Sequence, residues 1–203
     1  LDKIPTMSDH QTFNLWTTQI QVIDNFVVDS LLYEQLKFES SIIKTIEGQD
    51  TVNMTSAQAE LFKSTSIVVM NYCLENNINY DNLRINDLQK GYLHKYDQSM
   101  VGNHLYEPHH DIAEGGYITA IYYIDSSYQE DRWVGGELTL YKHLTFADYP
   151  DNSINILPKQ NRLIVFPGFT THRVKPYFGD IPRTSLVFGW SVIDGEPKKS
   201  LII

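Results

Sequence analysis

The sequence predicts a mostly β fold with helices at its N-terminal end, an α+β arrangement. Three observations carry that expectation. Between residues 116 and 190, five short runs are rich in β-branched and aromatic residues and are separated by Gly, Pro, Asp or Ser. Two segments with helical spacing precede them, within residues 30–75. The 203 residues are 42% hydrophobic, with 13 Tyr, 9 Phe and 3 Trp, enough for one domain spanning 1–203 with a sizeable, aromatic-rich core.

Each element has its own signal. Met7-Ser-Asp has the form of a native start, so residues 1–6 read as a cleavage or cloning remnant. Residues 15–88 are expected to hold one strand and two supporting helices, and 89–194 the β core. Residues 15–23 alternate apolar and polar and suggest an edge strand, ended by Asp24-Asn25. A helix opens at Ser30, a fair N-cap, and runs to about residue 45. A polar loop, 46–55, leads to a second helix from Ser56 to about Glu75, with Ala59, Leu61, Phe62, Val68 and Val69 at helical spacing and Asn76-Asn77 as its stop. Residues 89–97 look like the first core strand, with Tyr92, His94 and Tyr96 on one face. Further strands are expected at 116–124, 135–141, 161–167, 171–175 and 183–190. The loop 125–132 and the weakly patterned stretch 142–160 lie between them; both are placed to frame the mouth of a site. Gly135-Gly136 suits a turn or a close backbone approach.

The chemistry concentrates in Glu107-Pro-His-His-Asp111 and, further on, His172 and Arg183. In an extended strand, side chains alternate, so His109 and Asp111 share a face and His110 points away. Two imidazoles and one carboxylate on one side of a metal make the facial triad of non-haem Fe(II) oxygenases, which leaves positions open for a chelating co-substrate and O2. His109, Asp111 and His172 are therefore candidate metal ligands and catalytic residues. The bland alternative is a polar turn with incidental histidines. Arg183 is a candidate carboxylate partner, because a guanidinium binds carboxylate bidentately and stays charged when buried. Ser185, two residues on, shares its face and could add a hydroxyl. The alternative for Arg183 is a surface ion pair after the Gly179-Asp-Ile-Pro182 turn.

Together these pieces resemble the prolyl-4-hydroxylase-type branch of the 2-oxoglutarate/Fe(II) dioxygenases. The matching segments are His-His-Asp (109–111), Ile-Tyr-Tyr-Ile-Asp (121–125), Trp-Val-Gly-Gly-Glu-Leu (133–138), Asn-Arg-Leu-Ile-Val-Phe (161–166), His-Arg-Val (172–174) and Arg-Thr-Ser-Leu-Val-Phe-Gly-Trp (183–190). The resemblance covers about residues 90–194. It implies a double-stranded β-helix (jelly-roll, cupin-like) core with Fe(II), 2-oxoglutarate and O2 as cofactors and ascorbate as reductant. The substrate it implies is a prolyl residue in a peptide or protein. It implies Arg183 and Tyr123 on the far carboxylate of 2-oxoglutarate, with Tyr96 approaching the co-substrate from another side. Collagen-type members favour lysine where this chain has Arg183, so the chain departs from them there. For the two tyrosines, the competing role is ordinary core packing. Trp190 would face the barrel near the iron or pack beneath it. His94 reads as a core histidine, and His10, His104 and His143 lack a partner at ligand spacing.

Composition narrows the partners. A net charge of −9 argues against a nucleic-acid surface, and no run approaches 18 apolar residues, so no membrane span is expected. Cys73 is the only cysteine, which leaves no internal disulfide and suggests a small buried hydrophobe in a reducing, cytoplasmic setting. Two other classes stay open: a cupin-like metalloenzyme working without 2-oxoglutarate, and a non-catalytic binding module on the same barrel. The same chemistry on another residue or a small molecule is a third possibility.

Overall fold

The computed structural model describes residues 10–15, 18–42, 54–78, 83–96, 107–111, 118–130, 132, 134–141 and 153–192. The elements are β1 (His10–Leu15), β2 (Thr18–Ile23), α1 (Ser30–Ile42), α2 (Ser56–Glu75), β3 (Leu83–Tyr96), β4 (Ile118–Asp125), β5 (Leu138–Tyr141), β6 (Ser153–Ile156), β7 (Arg162–Pro167), β8 (His172–Val174) and β9 (Arg183–Val192). One sheet runs β1-β2-β7-β4-β9-β3 and a second runs β6-β5-β8. Every described pairing is antiparallel. The sheets face each other as the two halves of a double-stranded β-helix, which is the expected core.

Strand alternation divides the large sheet into two faces. Ile118, Ala120, Tyr122 and Ile124 of β4, Leu163 and Val165 of β7, and Leu186, Phe188 and Trp190 of β9 pack outward against Leu36, Leu61, Val69, Tyr72 and Cys73 of the helices. The intervening residues Ile121, Tyr123, Ile164 and Phe166 face Leu138, Leu140, Ile156 and Val174 across the gap between the sheets. Helix α2 buries Ala57, Leu61, Thr65, Val69, Tyr72 and Cys73, the i, i+4 stripe of a helix laid on a sheet. Each large apolar side chain buried this way contributes roughly 1.5–3 kcal/mol. Cys73 is fully buried, and burial pushes its thiol up to about 12, so it behaves as the expected hydrophobe. No helix among the described residues is long and apolar enough to cross a membrane.

Several sequence expectations need correction. The single strand at 15–23 is a hairpin: β2 begins at Thr18 and pairs with β1 in register His10↔Ile23 to Leu15↔Thr18. Ser30 is the first helical residue, and the cap is Asp29, whose carboxylate accepts from the Leu31 amide at 2.8 Å. Strand β3 starts at Leu83, earlier than expected, and absorbs two register shifts against β9. A strand, β6, lies inside the weakly patterned stretch 142–160, which was expected to be a loop. Of the two places open to Trp190, the structure takes the packing one: the ring stacks on Phe62 of α2, with centroids 5.7 Å apart at 12°, away from the inter-sheet space. By contrast, α2 runs from Ser56 to Glu75 as expected, behind a Thr55/Gln58 capping box. Residues 1–6 and 142–152 and the side chain of Tyr92 lie outside what is described.

Asn161 ties the helical layer to the sheet. It sits in the left-handed region at φ 56°. Its Oδ1 accepts from the Val27 amide (2.8 Å) and the Tyr122 hydroxyl (2.9 Å), and its Nδ2 donates to the Val27 carbonyl (2.9 Å). Asn161→Ala strips these bonds, strands a buried phenol and strains the turn. We expect a loss of about 2–4 kcal/mol in urea unfolding, with the metal affinity of the site on the opposite face unchanged.

Candidate active site

His109 and His172 are joined through the backbone before their side chains meet. The His109 amide donates to the His172 carbonyl at 2.9 Å, and the His172 amide donates back at 2.8 Å. The Asp111 amide donates to the Gly168 carbonyl at 2.8 Å. Residues 107–111 are thus not a regular strand. An isolated bridge and the turn that follows it bring His109 and Asp111 to His172. One ligand-type atom from each of the three lies within 4.8 Å of the others. The imidazole centroids are 4.4 Å apart, and His172 Nε2 is 3.8 Å from Asp111 Oδ1. Asp111 and His172 are buried, and His109 is exposed at the rim. His110 is exposed beside them and is not part of the cluster.

Neighbouring groups set the chemistry of these side chains. Nδ1 of His109 lies 2.9 Å from the Glu107 carbonyl, and Nδ1 of His172 lies 2.9 Å from the Thr170 carbonyl. A carbonyl only accepts, so each Nδ1 carries the proton and each Nε2 keeps a lone pair for a metal. Burial holds the His172 imidazole below its ordinary range, against the Asp111 carboxylate, which pulls it up. The neutral ring is the form that binds metal. The Thr119 hydroxyl donates to Asp111 Oδ2 and fixes the carboxylate, leaving Oδ1 toward His172. Thr119 was not singled out from sequence. Its signal was parity, since it sits four residues before Tyr123 on the same face of β4. Thr119→Val should keep the fold and lower divalent metal affinity about 10- to 100-fold, measured by competition with a chelating dye.

Deeper in the same inter-sheet space lies Arg183, 1% exposed. Its guanidinium carbon sits 4.6 Å from the Tyr123 ring centre and 4.8 Å from that of Tyr96. Nη2 donates to the Tyr123 hydroxyl at 2.9 Å. Among the described residues, Nε and Nη1 have no hydrogen-bond partner and Arg183 makes no ion pair. A buried guanidinium with idle donors is costly and is answered by an anion. Its burial removes the surface ion pair as a reading. Ser185, also 1% exposed, pairs across strands with Tyr123 on one side and His94 on the other. Gly136, at φ 74°, lies against this arginine; a Cβ there would meet the Tyr177 ring at 2.7 Å and Arg183 Cδ at 3.1 Å. The Gly-Gly pair therefore serves close backbone approach, as expected.

All seven expected site residues fall in two groups along one interior. Phe166 meets the His172 ring edge-on at 5.1 Å, and it shares one apolar cluster with Tyr123 and Tyr96. The residues fit the cofactors that the sequence suggested: neutral nitrogens and one carboxylate for a divalent ion, and a buried cation for a distal carboxylate.

Comparison with known proteins agrees with this geometry. Residues 92–191 match the model of the 2OG-Fe(II) oxygenase superfamily. A comparison with curated proteins finds no match. Among solved structures, a prolyl-4-hydroxylase from Pseudomonas putida aligns with TM-score 0.58 at 16% identity, covering 86% of this chain and 88% of that one. A Trichoplax adhaerens prolyl hydroxylase, in complex with a hypoxia inducible factor oxygen degradation domain peptide fragment, aligns with TM-score 0.54 at 21% identity, covering 85% and 83%. HygX from Streptomyces hygroscopicus, with nickel, 2-oxoglutarate and hygromycin B bound, aligns with TM-score 0.58 at 13% identity, covering 89% and 86%.

Proposed function

We propose, from the premise that this chain belongs through residues 92–191 to the 2OG-Fe(II) oxygenase superfamily, that it hydroxylates a prolyl residue in a peptide or protein. One observation carries the 2-oxoglutarate part of the reading: the buried Arg183 guanidinium with two donor atoms unused by the described residues. A metal-binding barrel without a dicarboxylate co-substrate has no need of it. The prolyl and peptide part rests on likeness to the P. putida and T. adhaerens structures.

In this reading His109, Asp111 and His172 hold Fe(II) from one side. Arg183 binds the far carboxylate of 2-oxoglutarate through its idle donors, with the Tyr123 and Ser185 hydroxyls beside it and Tyr96 closing the opposite side. Bound there, Fe(II) and 2-oxoglutarate supply the oxidising power that, with O2, converts a C–H bond to C–OH as the co-substrate becomes succinate and CO2. The protein orients and keeps water out: Tyr123, Ser185 and Arg183 are at most 1% exposed. His109, on the exposed rim, marks the side from which substrate arrives. Ascorbate would serve to keep the iron reduced. The chain would act as one dioxygenase domain.

The alternative substrate is a small molecule, which the equally good fold likeness to HygX supports. One experiment separates the readings. Protein supplied with Fe(II), ascorbate and 2-oxoglutarate is incubated with a proline-containing peptide library and followed for succinate and for peptides gaining one oxygen atom. Oxygen gain on proline supports the proposal. Peptide-independent succinate with no modified peptide moves the reading to a small molecule. An absence of 2-oxoglutarate binding, together with an absence of succinate, would overturn it.

A further inference from the structure

The ladder between β4 and β9 slips just before it reaches Arg183. From Ile118↔Trp190 to Tyr123↔Ser185 the register is regular, and then Asp125, in place of Ile124, stands opposite Thr184. Ile124 is the extra residue of a β-bulge. Had the regular register continued, Asp125 would stand opposite Arg183, on the face that Tyr123, Ser185 and Arg183 share. A carboxylate there would pair with the guanidinium across the strands. The bulge instead sets Asp125 across from Thr184, which alternation places on the other face of β9, with Leu186 and Phe188. Neighbouring groups hold the slip in place. The Ile124 carbonyl, outside the ladder, accepts from the Tyr33 hydroxyl of α1 at 3.0 Å. The Tyr123 carbonyl accepts from the Asn161 amide at 2.9 Å. Asp125 Oδ1 accepts from the Ser126 amide at 3.0 Å and from Gln160 Nε2, which also donates to the Ser126 carbonyl at 3.1 Å. Among the described residues Asp125 makes no ion pair.

We propose that this bulge keeps an internal carboxylate off Arg183, and that Gln160 is the positioning residue that latches it. The inference rests on the dioxygenase reading. To take the far carboxylate of 2-oxoglutarate, Arg183 must be buried, charged and unpaired. Asp125 is the acidic side chain that an unbroken register would bring to it. Paired with Asp125, the guanidinium would be satisfied from within the chain, and 2-oxoglutarate would have to displace a tethered competitor. Turned toward Gln160 and the Ser126 amide, the carboxylate has neutral donors of its own. The Arg183 Nε and Nη1 atoms then stay idle.

The test uses Zn(II)-loaded protein titrated with 2-oxoglutarate and with pyruvate, which keeps the keto-acid head and lacks the far carboxylate. Gln160→Leu releases Asp125 and should weaken 2-oxoglutarate binding about tenfold, with pyruvate and Zn(II) affinity unchanged. Gln160→Glu, the same size with a like charge beside Asp125, should act in the same direction and carries the test if Gln160→Leu does not fold. Asp125→Ala alone should bind 2-oxoglutarate as wild type does, and added to either Gln160 variant it should restore the lost affinity. A turn that was merely loosened would behave otherwise: Asp125→Ala removes the same hydrogen bonds, so it would weaken binding by itself and rescue nothing. The Nε resonance of Arg183, read without co-substrate, should move in the Gln160 variants and return in the double variants. Unchanged 2-oxoglutarate affinity in both Gln160 variants, an equal loss for pyruvate, or a failure of Asp125→Ala to rescue overturns the inference alone. Wild-type protein that binds no 2-oxoglutarate overturns the dioxygenase reading, and the Arg183 resonance then still decides whether released Asp125 reaches the guanidinium.

Discussion

Asp111→Ala abolishes turnover and lowers Fe(II) affinity more than about 100-fold. The lower bound follows because changes to residues that merely support a metal ligand already cost 10- to 100-fold. Asp111 is the one anion in the triad, and the pair of imidazoles it leaves behind cannot offset the metal's charge. The Thr119 hydroxyl also loses its acceptor in a buried place. An anaerobic Fe(II) titration, run beside succinate release, reads both effects. His110→Ala is the control: that side chain is exposed and outside the cluster, so metal and activity should persist. Near-wild-type affinity in Asp111→Ala would show that these three residues do not form the metal site.

The second large effect belongs to Arg183. Truncating one partner of a buried charge pair costs about 2–5 kcal/mol, so Arg183→Ala should weaken 2-oxoglutarate binding roughly 30- to several-thousand-fold. Fe(II) affinity should stay as it is, since the arginine is not among the ligating groups. Arg183→Lys should be intermediate, because the charge survives and the planar fork does not. The unliganded protein adds a second readout. There the guanidinium is buried with idle donors, so removing it should cost little stability, or even raise it. In wild type, 2-oxoglutarate should raise the melting temperature by mass action, and in Arg183→Ala that rise should vanish. An unchanged dissociation constant would leave only a metal-binding barrel.

The site was more legible than the path by which the chain builds it. His109, Asp111 and His172 stand out because H-x-D is short and chemically loaded, yet the reason offered, a regular strand, is not what the structure uses. Backbone pairing of residue 109 with residue 172 is a long-range contact that no local pattern announces. Trp190 was recoverable by counting: it lies an odd number of residues from Arg183 along one strand, hence on the other face. The β1–β2 hairpin escaped because Trp16-Thr17 carries neither Gly nor Pro and the alternation runs on through it. Strand β6 escaped because four residues, Ser-Ile-Asn-Ile, are too few to show a period. Helix α2 was legible from Ser56 to about Glu75 because its apolar stripe and its Asn76-Asn77 stop are local.

The two faces of the large sheet also bear on how such a protein can change over generations. Along β9, Leu186, Phe188 and Trp190 answer to the helices, whereas in the proposed function Arg183 and Ser185 answer to the chemistry. Neighbouring codons are therefore under different selection. Saturation mutagenesis of this strand, scored once for cellular abundance and once for turnover, should yield two combs of sensitivity, displaced by one residue. A lineage that loses its reaction can erode one comb and keep the other, and so retain a folded scaffold free to acquire another task.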